Sequence, residues 1–166
     1  MSKKSFFIKA ASLVLALAAF FTFAACSGSD KPSGPKEPAN VNDVYQKLID
    51  SGFLPELTAV PERDLFEVYG IDASKLKQWV FAMSENYSLD CGEVAIFETN
   101  DEAYVSELAA KLTSHIERIK NVSKDYSPQQ SAKLEPVEVK TVGSFVYLVV
   151  GENYDALMKI MKDNIG

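Results

Sequence analysis

PVEVKTVGSFVYLVVG, residues Pro136 to Gly151, reads as a β-hairpin around which the remaining elements pack. Val137, Val139 and Thr141 alternate with Glu138, Lys140 and Val142, the period-2 pattern of a half-buried strand. Gly143-Ser144 places glycine first in a two-residue connection, as a type II′ hairpin turn requires. The return strand, Phe145 to Val150, is apolar on both faces. A strand without a polar side is covered on both sides, so it reads as central in its sheet.

Working back toward the N-terminus, a second hairpin and a helix precede this one. Lys77 to Ser84 reads as a strand with Trp79, Phe81 and Met83 on one face and Val80 and Ala82 on the other. Glu93 to Thr99 is its partner, across a loop from Asn86 to Gly92. From Asn100 or Asp101 to about Lys120, Val105, Leu108, Ala109, Leu112, Ile116 and Ile119 recur at 3–4 spacing and predict a long helix. Thr99 with Glu102 fits a capping box at its start. Ser127-Pro128 opens a short helical turn through Leu134, and Asn153 caps a last helix carrying Leu157, Met158, Ile160 and Met161. Ahead of the first hairpin lie a helix capped by Asn40 and stopped by Gly52, and a Pro-interrupted loop from Phe53 to Val60. A short helix opened by Pro61 follows.

The expected fold class is α+β. It has a four-stranded, mainly antiparallel sheet in strand-strand-helix-strand-strand-helix order, with both long helices on one face. Both hairpins are apolar on both faces, so residues 41–70 are expected to cover the second face, with Leu48, Ile49, Leu65 and Phe66 buried against it.

The N-terminus reads as an address. Lys3, Lys4 and Lys9 form a basic region and Ala10 to Ala25 an apolar run of 16 residues, short for a membrane span. Phe23-Ala24-Ala25-Cys26 resembles the lipobox of bacterial lipoproteins, which implies a diacylglyceryl group on the Cys26 thiol and cleavage just before it. Phe23 stands where that motif usually has Leu; an uncleaved N-terminal anchor is the alternative. Three divisions follow: a signal peptide over 1–25, the lipidated Cys26 with a flexible linker over 26–40, and one α+β domain over 41–166. Ser27 to Asn40 holds three Pro, two Gly and three Ser in 14 residues, a solvated spacer that reaches at most ~40 Å. The expected location is the outer face of the cytoplasmic membrane.

Charge and residue types narrow the chemistry. Without the three leader lysines, 14 basic residues face 23 acidic ones, a formal −9. Such a domain is repelled by nucleic acid and anionic headgroups, which leaves the membrane (through the anchor) and a cell-envelope protein or small ligand as partners. Once Cys26 carries lipid, Cys91 is the lone thiol, read as apolar filler. His115 is the single histidine and falls beside the helix stripe, flanking the core; one His and one thiol give no material for a metal site or a His-activated nucleophile. No cofactor is expected. Carboxylates remain: Asp90 and Glu93 flank Cys91, while Glu98, Asp101 and Glu102 cluster at a strand-to-helix junction. The leading expectation is a non-enzymatic binding or accessory module of the cell envelope. The alternative is an envelope hydrolase using carboxylates such as Glu93 and Glu98. Tyr126, next to the Ser127-Pro128 turn, and Tyr87 are the candidate ligand or partner contacts.

Several segments also form a recognisable series. Tyr69-Gly70-Ile71-Asp72, Trp79 to Met83, Glu93 to Phe97, Tyr126-Ser127-Pro128 with Lys133, and Gly143 to Val150 together resemble a family of small lipoproteins from Gram-positive bacteria catalogued as a domain of unknown function. The resemblance runs from about Leu65 to the C-terminus. It implies a lipoprotein setting and an α+β domain, with no activity or catalytic residue to carry over.

Overall fold

A computed structural model describes residues 39–86 and 90–166. The chain forms α1 (Val41–Asp50), β1 (Thr58–Ala59), α2 (Glu62–Glu67), β2 (Leu76–Met83) and β3 (Glu93–Thr99). It continues with α3 (Glu102–Tyr126), α4 (Pro128–Leu134), β4 (Lys140–Val142), β5 (Phe145–Val150) and α5 (Tyr154–Asn164). The five strands form one antiparallel sheet in the order β1-β2-β3-β5-β4. β5 is interior, as its two apolar faces require, but the middle position belongs to β3, all seven of whose residues are buried.

The alternation expected of the strands is met residue by residue. Phe81, Ala95, Phe97, Val146, Leu148 and Val150 point into one core with Leu108, Leu112 and Ile116 of α3. Val94, Ile96, Tyr147 and Val149 point into a second core with Val41, Val44 and Leu48 of α1 and Leu157, Met158 and Met161 of α5. Pairing of Phe97 with Val146 and of Ile96 with Tyr147 keeps each neighbour on its own side. Gly143 supplies the positive φ (+56°) of the β4–β5 turn.

Four expectations are corrected. The long helices do not share a face: α3 lies on one side with α2 and α4, and α5 on the other with α1. Five strands at ~4.8 Å spacing span about 20 Å, twice the breadth of one helix, so each face carries more than one helix. The sheet has five strands, because the supposed loop contributes β1, where Thr58 and Ala59 pair with Met83 and Ala82; two residues are too few to show alternation. Leu65 is buried in the α3-side core and Phe66 is 70% exposed, so neither covers the second face; Leu48 does. At the start of α3, Asp101 is the cap, accepting from the Ala103 amide, while the Thr99 hydroxyl donates to the Asp101 carbonyl.

Other features run longer or shorter than their patterns. α3 continues six residues past Lys120 to Tyr126. β4 begins at Lys140 and not at Val137, whose amide is held by the Leu134 carbonyl in the turn ending α4. Asn40 and Asn153 cap α1 and α5 as expected. The start of α1 is fastened to the sheet by Gln78, which accepts from the Val41 amide (3.0 Å) and donates to the Ala39 carbonyl and to Glu98.

Candidate functional site

The feature that stands apart is a cavity of about 460 Å³ between the end of α2 and the outer side of α3. Its geometry starts at Gly70, whose φ of +68° ends α2 and folds the chain back so that Ile71 N–H reaches the Leu65 carbonyl (2.7 Å). That reversal sets Val68, Tyr69 and Ile71 against Glu107, Lys111, His115 and Arg118, which recur at 3–4 spacing along one side of α3. Lys111 closes one end, donating to the Gly70 carbonyl (2.5 Å) and to Glu107 (2.6 Å). The hydrogen bond between them raises the Lys111 pKa and lowers that of Glu107. Arg118 is exposed and makes no hydrogen bond or ion pair among the described residues.

Under the cavity lies a buried acid–imidazole pair. His115 Nε2 sits 3.0 and 3.1 Å from the two carboxylate oxygens of Glu93, which is fully buried on β3. When that carboxyl is ionised it can only accept, which places the shared hydrogen on Nε2. Nδ1 is also buried and has no hydrogen-bond partner among the described residues. The Tyr69 ring meets the imidazole edge-on at 5.3 Å and Phe81 at 6.1 Å. Tyr69 itself donates to the Met83 sulfur (3.3 Å), and its hydroxyl pKa is raised by burial and then by Glu93.

The residues singled out in the sequence scatter around this centre. His115 flanks the core as read, but its pairing with Glu93, 22 residues away, was missed. The signal was an acid at an inward position of an otherwise apolar strand, which must find a partner to be buried. Glu93 and Glu98 cannot act together on one bond: β3 turns successive side chains to opposite faces, so Glu93 meets α3 while Glu98 sits on the α1 side. Glu98 is held by Lys77 (2.8 Å) and Gln78 (2.5 Å). The two-carboxylate hydrolase built on that pair is thereby overturned. Cys91 is fully buried, its thiol pushed up to about 11, chiefly by burial. Asp90 lies 3.7 Å from Lys133, which also pairs with Glu152 at 2.5 Å. Among the described residues no three His, Cys, Asp or Glu side chains gather as a metal site would require.

Tyr126 ends α3 with 84% of its surface exposed. It lines a groove of about 400 Å³ between α3 and α4, with Ile119, Val122 and Gln130. Arg118 lines this groove and the α2–α3 cavity alike. Cys26 and Tyr87 lie outside the described residues. Among those described, no helix is long and apolar enough to cross a membrane.

No curated protein and no solved structure matches the chain. Residues 50–151, the sheet with α2, α3 and α4 but without the second-face helices, match a family described only as a domain of unknown function (DUF4358), and the chain belongs to that family.

Proposed function

We propose that the protein is an extracytoplasmic lipoprotein, tethered through Cys26, that serves the cell envelope as a non-enzymatic binding or accessory module. The observation that carries the binding reading is the outer side of α3. Two adjoining cavities there share Arg118, a cation without a partner among the described residues, and Tyr126 and Val122 stand exposed beside them. Cavities of this size with a few convergent polar groups are the usual form of ligand sites. The tether rests on the lipobox-like Phe23-Ala24-Ala25-Cys26 and the Pro/Gly/Ser spacer behind it.

Two measurements test this. Changing Cys26→Ala blocks lipid attachment and cleavage, so the variant keeps its apolar leader and runs at the precursor mass; a variant still processed to the mature length overturns the tether. Crosslinking of the tethered protein in intact membranes then captures its partner. Crosslinks that gather on α3 support the binding reading, whereas crosslinks confined to α1 and α5 overturn the placement of the site.

A further inference from the structure

Resting on that reading, we propose that the α2–α3 cavity takes a small oxyanion, a carboxylate or phosphate-type group held by Arg118, and that its binding draws a proton from solvent onto His115.

Arg118 and His115 are one helical turn apart and both line the cavity. In a domain carrying a formal −9 after Cys26, an arginine that makes no ion pair among the described residues offers a fork for two parallel bonds to an anion. The neighbouring Lys111 is already matched by Glu107.

The floor supplies the coupling. A proton from solvent on Nδ1, the ring atom without a partner among the described residues, makes the ring a cation beside Glu93. The groups around the imidazole are Glu93 from β3, Tyr69 from the segment after α2, and Lys111, Glu107 and Arg118 from α3 itself. An anion arriving among them favours the imidazolium, because an opposite charge stabilises the charged form. By linkage, the anion binds better at lower pH, and each unit by which it raises the imidazole pKa is worth about tenfold in affinity.

His115 is the only histidine in the chain, so its ring resonances report this site and no other. The experiment is NMR of the full ¹⁵N-labelled chain in mild detergent. It is titrated with sulfate and separately with acetate at constant ionic strength, between about pH 5.5 and pH 8, the range in which histidine changes charge. The expected result is a saturable shift of the imidazole signals, a raised titration midpoint in the bound form, and affinity falling at least about threefold from the low to the high end. Preference for sulfate assigns a phosphate-type ligand, and preference for acetate a carboxylate. Arg118→Gln is expected to weaken binding by about tenfold or more, with the urea midpoint unchanged. Lys159→Gln, on α5, should change nothing. Shifts that never saturate, or that persist in the Arg118 variant, overturn the proposal, as does an affinity that ignores pH. A protein partner crosslinked to the α3–α4 groove while both anions leave the cavity silent overturns this inference alone; the binding-module reading then stands.

Discussion

The two faces of the sheet are built from the same strands and differ in what they bury. The α1/α5 face is almost wholly apolar: Val94, Ile96 and Val149 meet Val41, Val44, Leu48 and Leu157, and Tyr147 directs its hydroxyl to the Gly166 carbonyl. The α3 face is also apolar over most of its area but encloses Glu93 and His115, stacks Tyr69, Phe81 and Phe97 edge-to-face, and opens into the α2–α3 cavity. The α1/α5 side has a cavity too, about 640 Å³ beside β4, where Lys140 pairs with Glu138 and Lys162 shares the space with Asp155. A buried polar pair costs stability that an apolar pair would not. Each face buries one acid, Glu93 with His115 on the α3 side and Glu98 with Lys77 and Gln78 on the α1 side, and it is the first pair that borders the α2–α3 cavity.

The sharpest way to break the comparison is to remove one cover. A chain lacking residues 41–50 uncovers Val94, Ile96, Tyr147 and Val149 and gives up the burial of Val41, Val44 and Leu48. At about 1.5–3 kcal/mol per side chain, that loss rivals the whole stability of a domain this size. The truncated chain should bind a hydrophobic dye and lose cooperative urea unfolding. If it unfolds cooperatively, α1 is dispensable and the second face is naturally open.

Within an intact fold, Phe81→Ala on the α3 face should cost about 3–5 kcal/mol and Leu48→Ala on the other about 2–5 kcal/mol. Both side chains are essentially inaccessible. Urea midpoints for the two, with unchanged slope, show whether the faces are equally close-packed; a Phe81 variant losing less than the Leu48 variant means the α3 core relaxes into its cavity.

Next is the polar pair itself. Glu93→Ala leaves His115 Nε2 buried without its acceptor and is expected to cost about 1–3 kcal/mol. Unchanged thermal stability would mean that the pair contributes nothing to the fold beyond filling space.

Cys91 sits in the α3-side core, and its pH behaviour follows from its burial. The folded state holds the thiol proton up to about 11, against ~8.5 for a free thiol. The folded chain therefore binds that proton more tightly, so this contribution is intact at neutral pH and is lost as pH rises from about 8.5 through 11. A thiol reagent at pH 8 should label the native protein far more slowly than the urea-unfolded chain. Equal rates would contradict the buried, protonated thiol.

The smallest effect belongs to Tyr126. With its ring in water, Tyr126→Ala should leave stability within about 0.5 kcal/mol while reducing crosslinking along α3. A large loss of stability would show that the side chain is structural.

Much of this molecule is legible in the chain because strand alternation and helix stripes are local consequences of where side chains point. Phe145 to Val150, Glu93 to Thr99 and Leu108-Leu112-Ile116 each announce an element and its buried side. Caps at Asn40, Asn153 and Ser127 are local too, since each side chain bonds an amide two or three residues on. What local pattern does not contain is which face a helix covers or which distant residue a buried acid meets. Both helix stripes fit either face of a sheet that is apolar on both, and α5 is set opposite α3 only in the packed structure. Glu93 and His115 are 22 residues apart on elements of different period, so their pairing exists only once β3 and α3 are packed. The cavity beside them, and Arg118 at its edge without a partner among the described residues, belong likewise to the packed structure, because a void between two helices has no counterpart in either helix alone.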